Sequence, residues 1–100
     1  MLFRSLSNGD IHAYEIKSDL DTLRRLPRQI QYYNEVFSTV TFVVGINHVV
    51  EALYLVSDWW GVIVAELDDA KLRLSPIRQV QQNTYTDYEA ISDRDRKSVV

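Results

Sequence analysis

The sequence has 100 residues, 46% of them hydrophobic and 25% charged, with a formal net charge of −3. That length allows one domain at most, and the ordinary composition, with three Gly and two Pro, excludes a loop-rich or disordered chain. With no cysteine there is neither a disulfide framework nor a thiolate metal site. The longest apolar runs are about eight residues, far short of the roughly 20 that a membrane helix needs, and no signal-type start marks export. A cytoplasmic protein without membrane contact is therefore expected. A net negative chain does not hold nucleic acid by bulk charge, so any contact with DNA has to be local.

In chain order, Asn8-Gly9 is a hairpin turn signal, because both residue types tolerate positive φ. It predicts strands over Leu2–Ser7 and Ile11–Lys17. Ser18, followed by Asp21, reads as the N-cap of a helix, and Asp19 and Asp21 suit the positive end of its dipole. Leu20, Leu23, Ile30, Tyr33 and Phe37 continue that helix at its spacing, with Pro27 kinking or splitting it at Leu26. Thr39–Gly45 is a nearly continuous β-rich apolar run, as expected of a strand covered on both faces. Strand, helix and strand make a βαβ unit with a right-handed crossover.

Asn47 is expected to cap a second helix reaching about Val56, with Val49, Leu53 and Val56 inward. Trp60–Leu67 reads as another buried strand. Asp68 to Lys71 forms a turn into a short strand at Leu72–Leu74, which Pro76 ends. Gln79 to Asp93 has little periodicity and reads as loop or a weak helix end. Trp59 and Trp60 are expected in the core and at its rim, and Tyr32-Tyr33 as one exposed and one buried ring. His12 and His48 have no second ligand at metal spacing.

Glu15-Ile16-Lys17 carries the chemistry. A Glu-x-Lys pattern alone is close to uninformative, but two residues apart on a strand share one face. The pair follows a tight hairpin and feeds a helix and a buried strand. Arg24, Arg25 and Arg28 come close behind, so that with Lys17 four of the 11 basic residues fall in one short stretch able to contact phosphates.

That order resembles the PD-(D/E)xK nuclease superfamily, in a small stand-alone branch found in bacteria and phages. The resemblance is carried by Tyr14 through Leu23, Arg25 through Gln29, Tyr33, Phe42 through Gly45, His48 and Trp59-Trp60-Gly61. It implies a three-layer, restriction-endonuclease-like α/β core with a mixed sheet of four or five strands and two helices. It implies metal-dependent hydrolysis of DNA phosphodiesters. Glu15 and the Ile16 carbonyl would hold Mg²⁺ or Mn²⁺, which takes hard oxygen ligands. Lys17 would orient the attacking water or stabilise the transition state, and Gln29 would assist. The family pattern also requires an acidic residue near positions 2–4, where this chain has Leu2, Phe3 and Arg4. This chain is therefore expected to hold the metal weakly or not at all and to be inactive. The alternative is a non-catalytic nucleic-acid-binding or regulatory module on the same fold, and a third reading is a plain α/β domain with an incidental Glu-x-Lys. The oligomeric state is open.

The two ends explain the missing acid. Leu2-Phe3-Arg4-Ser5 is what CTC TTC CGA TCT encodes, and Asp95 through Val100 is what GAT CGG AAG AGC GTC GTG encodes; both strings read as flanks of a sequencing-library adapter. Residues 6–94 are accordingly expected to be part of a longer nuclease-like domain, and 1–5 and 95–100 to be non-native.

Overall fold

The computed structural model describes residues 1–7 and 10–83. Five strands form one sheet in the order β1 (Leu2–Ser7), β2 (Asp10–Lys17), β3 (Thr39–Gly45), β4 (Gly61–Asp68), β5 (Lys71–Arg78). The outer pairs β1–β2 and β4–β5 are antiparallel, and β2–β3–β4 is parallel. Parallel neighbours need crossovers. α1 (Leu26–Val36) links β2 to β3, and α2 (Val49–Leu55), preceded by a single 3₁₀ turn at Ile46–His48, links β3 to β4. The α/β class, the mixed sheet and the two helices thus follow the sequence reading. The Asn8-Gly9 turn and residues 84–100 lie outside the described residues.

The layering does not follow it. Alternation along the strands puts Ala13, Glu15, Val40, Phe42, Val44, Val62 and Val64 on one face. Leu26, Ile30 and Tyr33 of α1, Ala52 of α2, and Phe37, Val56 and Trp60 beside them bury into that same face. Both helices therefore share one side, and the described residues make two layers rather than three. The rings of Tyr33 and Trp60 stack at 5.8 Å, and Phe42 meets Trp60 edge-on. As expected, Tyr33 is buried and Tyr32 half exposed.

The first helix starts seven residues later than expected, with Arg25 and not Ser18 at its N-cap. The Ser18–Asp21 signal is present, with the Asp21 carboxylate accepting the Ser18 N–H at 2.8 Å and Ser18 Oγ accepting from the Leu20 N–H. It closes a turn, not a helix. The Ser18 N–H also holds the Asp21 carboxyl below its ordinary pKa. Leu20 is 96% exposed, so the segment has no second apolar anchor to lay a helical face against the core. Pro27 does not kink the helix; it sits in its first turn, where no internal N–H is required.

The second helix is also anchored differently. Asn47 does not cap it; the Asn47 N–H donates to Asp19 Oδ1 at 3.0 Å. Asp19 packs so closely on Gly45 that a Cβ there would lie 2.0 Å from Oδ1 and 2.8 Å from the Asp19 backbone nitrogen. Ala52 takes the buried position, with Val49 and Leu53 partly buried beside it.

β5 runs past Pro76 to Arg78. Pro76 is tolerated because β5 is an edge strand and the register shifts at Val62/Ile63, so no ladder donor is lost there. Asp69 and Ala70 turn the hairpin with φ of 50° and 64°. Arg78 then donates to the carbonyls of Trp60 and Ser57, clamping the loop ahead of β4.

Asn83 closes the structure from a stretch the sequence left featureless. Its fully buried amide donates to the carbonyls of Asn34 and Phe37 at 2.8 and 2.9 Å, covering the open C-terminal end of α1, while its N–H donates to Ser38 O. Asn83→Ala leaves two carbonyls without that donor, and a loss of about 2 kcal/mol is expected. Urea unfolding monitored by Trp fluorescence measures it; an unchanged midpoint contradicts the assigned role.

Candidate functional site

Glu15 and Lys17 share the helix-covered face of β2, as two-residue spacing requires. Lys17 Nζ lies 3.5 Å from Glu15 Oε1, and Tyr33 Oη of α1 donates to Glu15 Oε2 at 3.2 Å. Glu15 is 1% exposed and Lys17 mostly buried. A carboxylate at that depth is tolerable only when paired. Burial, then the neighbouring carboxylate, raises the Tyr33 pKa well above its ordinary value, so the phenol stays protonated as the donor. The Met1 ammonium lies 3.7 Å from Glu15 Oε2 and donates to the Ile16 carbonyl at 2.8 Å.

This arrangement does not fit a divalent cation. Glu15 is the one carboxylate of the cluster, and in register on the adjoining strand are Leu2 opposite Glu15 and Arg4 opposite Ala13. Glu15 is already paired with Lys17 and with the Tyr33 hydroxyl. Among the described residues no group of three or more His, Cys, Asp or Glu could hold a metal. No hydrolytic step through Mg²⁺ or Mn²⁺ can be drawn from these residues.

The other expected site residues meet next to that cluster. Arg24, Arg25, Arg28 and Gln29 line a cleft of about 830 Å³ with Leu2, Tyr32 and Tyr33. Lys17, Arg24 and Arg25, with Asp21 and Thr22, line an adjoining hollow of about 310 Å³. The two concavities share Arg24 and Arg25. All three arginines are exposed, and among the described residues none of them forms an ion pair. Gln29 Oε1 is buried without a hydrogen-bond partner there. The cleft therefore offers a cluster of cationic forks and an exposed Tyr32 ring.

Sequence reasoning found the arginines but missed Tyr33 as the partner of Glu15. The signal was present: Tyr33 falls on the buried stripe of α1, and a buried phenol needs a partner.

His12, given no role from the sequence, bridges two threonines of β3. Its Nδ1 pairs with Thr39 Oγ1 and its Nε2 lies 3.3 Å from Thr41 Oγ1. Burial lowers its pKa, favouring the neutral ring. His48 Nε2 is 2.8 Å from the Asp21 carbonyl and secures the loop before α1.

Tyr33→Phe removes the hydroxyl donor from a buried carboxylate, and a loss of about 2 kcal/mol at neutral pH is expected. Because the folded-state pKa of Tyr33 is raised, the unfolded chain loses that proton first as pH climbs past 10, so stability falls in that range. The variant should lack this alkaline slope. Denaturant unfolding between pH 7 and 11 measures both effects; an identical slope in wild type and variant contradicts the pairing.

Compared with known proteins, residues 5–94 match the family model described as bacteriophage P4 protein cII. Protein cII of Enterobacteria phage P4 is 32% identical over 75 residues, which is 75% of this chain and 28% of that relative. The chain thus spans under a third of the length of the curated relative it matches. No solved structure matches it. These matches overturn the nuclease resemblance and, with it, the reading as a fragment of a metal-dependent endonuclease.

Proposed function

The chain belongs to the family of bacteriophage P4 protein cII, and we propose on that premise that it is a non-catalytic regulatory module that works by binding a phosphate-bearing partner in its basic cleft. The observation that carries this reading is the convergence of Arg24, Arg25 and Arg28, none of them ion-paired among the described residues, on one concavity beside Lys17. Guanidinium forks bind phosphate oxygens in pairs, and three of them around one cleft favour a ligand with successive phosphates over a single small anion. DNA supplies successive phosphates and is the first partner to test. Tyr32 gives an exposed ring beside the phosphates.

Glu15 and Lys17 have a positioning role in this reading. They tie β2 to α1 through Tyr33. The net charge of −3 keeps the rest of the surface from holding polyanions indiscriminately, so the interaction is confined to the cleft.

Fluorescence anisotropy with a labelled DNA duplex at about 50 mM salt tests the proposal. Three phosphate contacts predict a slope of about −3 for log K against log salt. The triple variant Arg24→Gln, Arg25→Gln, Arg28→Gln should bind at least about tenfold more weakly, and the labelled DNA should remain intact with Mg²⁺ present. Unchanged binding by the triple variant would sink the cleft as the binding surface. Strand cleavage that survives purification and is lost in Lys17→Ala would sink the non-catalytic reading.

A further inference from the structure

Two arginines of the cleft lie on the same stripe of α1 as an exposed aromatic ring. Arg25 at the N-cap, then Arg28, Gln29 and Tyr32, fall three and four residues apart, so they follow one another along one side of the helix. Arg25, Arg28 and Tyr32 are exposed, and all four residues line the cleft. A rise of about 1.5 Å per residue puts the Tyr32 backbone roughly 6 Å beyond Arg28 and roughly 10 Å beyond Arg25. The cleft is therefore cationic at one end and aromatic at the other. Glu35, one turn past Tyr32, does not line it.

A lone exposed tyrosine is ordinary on a protein surface. Tyr32 is 52% exposed, but two neighbours hold its ring: Tyr33 at 5.8 Å and 65°, and Phe37 at 6.3 Å and 82°. Both contacts are edge-to-face, so among the described residues no ring lies flat on Tyr32. Beyond the arginines the cleft adjoins the hollow lined by Lys17, Asp21, Thr22, Arg24 and Arg25. Every side chain there is polar. Its one carboxylate, Asp21, already accepts the Ser18 N–H at 2.8 Å and is outnumbered by three cations.

Resting on the reading of the cleft as a phosphate-binding site, we propose that its ligand is single-stranded DNA. One unpaired base stacks on Tyr32, and the flanking phosphates run over Arg28, Arg25 and Arg24 toward Lys17. In a duplex both faces of a base are covered by its neighbours in the stack, and a protein meets only phosphates, sugars and groove edges. The arginines serve a duplex and a single strand alike. An aromatic ring fixed beside them serves a base that has left its stack. Every base has a π-face, so the preference is for strand form and not for sequence.

Fluorescence anisotropy with the whole chain tests the proposal. The probes are a labelled single strand of about 12 nucleotides, the duplex of the same sequence, and an abasic strand of the same length. Charge alone favours the duplex, whose phosphates are packed more densely. The expected result is the reverse: the single strand binds about tenfold more tightly than the duplex or the abasic strand at the same salt. Tyr32→Ala should abolish this preference, and Tyr32→Phe, which keeps the ring, should retain it. Circular dichroism checks the folding of both variants, and the comparison of intact with abasic strand needs no variant at all. Equal affinity for the intact and abasic strands overturns the proposal, as does a preference that survives Tyr32→Ala. Failure of the underlying reading looks different. Binding that is unaffected when Arg24, Arg25 and Arg28 are all replaced by Gln, or no binding of any probe, removes the cleft itself as the site. Binding that is lost in that arginine variant, yet equal for intact and abasic strands, keeps the cleft and overturns only its assignment to an unpaired base.

Discussion

The buried carboxylate of Glu15 sets the terms for the half of the fold that surrounds it. A charge removed from water must be met by charge or by strong donors, or it destabilises the protein by several kcal/mol. Here the partners come from two elements. Lys17 lies two residues on along β2, and Tyr33 reaches down from α1. Satisfying Glu15 therefore fixes the distance and rotation of α1 over the sheet. Tyr33 in turn stacks on Trp60, whose Nε1 donates to Asn34 of the same helix. Asn34 holds Ser57, and Arg78 clamps the Ser57 and Trp60 carbonyls. One chain of polar contacts thus runs from β2 through α1 to the start of β4 and the end of β5.

Placing α1 also places its entry. Pro27 begins the helix beside the β1–β2 edge, so Arg24, Arg25 and Arg28 project around one cleft instead of spreading along a helix face. The same Glu-x-Lys spacing that resembled a catalytic motif serves here to tie a strand to a helix. A short motif on a plausible fold is an analogy, and the site has to be argued from its own residues. In this chain the second carboxylate is lacking where register would supply it, and the match to the P4 cII family points elsewhere.

The parts of the fold written in local apolar pattern were legible from sequence. β1 ends where expected, β2 and β4 differ by a single residue at their ends, and Thr39–Gly45 was read without error because its burial is nearly continuous. The parts set by tertiary contacts were not. The Ser18–Asp21 cap formed with no helix behind it, since Leu20 finds nothing to pack on. Pro76 was read as a stop, although an edge strand has no use for its missing N–H. Asn83 looked like loop because its partners are two carbonyls almost 50 residues away in sequence. The basic cluster was visible as composition, and its cleft became visible only once Tyr32, Tyr33 and Leu2 were placed around it.

The central claim is that the arginine cleft binds while the Glu15 cluster holds the scaffold. Amide chemical-shift mapping of the labelled chain during titration with a short DNA duplex tests it most directly. The account predicts shifts concentrated at residues 24–33, with smaller ones at Lys17 and almost none across β4 and β5. Shifts centred on the sheet face opposite the helices, or on the β4–β5 hairpin with the arginine segment silent, would contradict it.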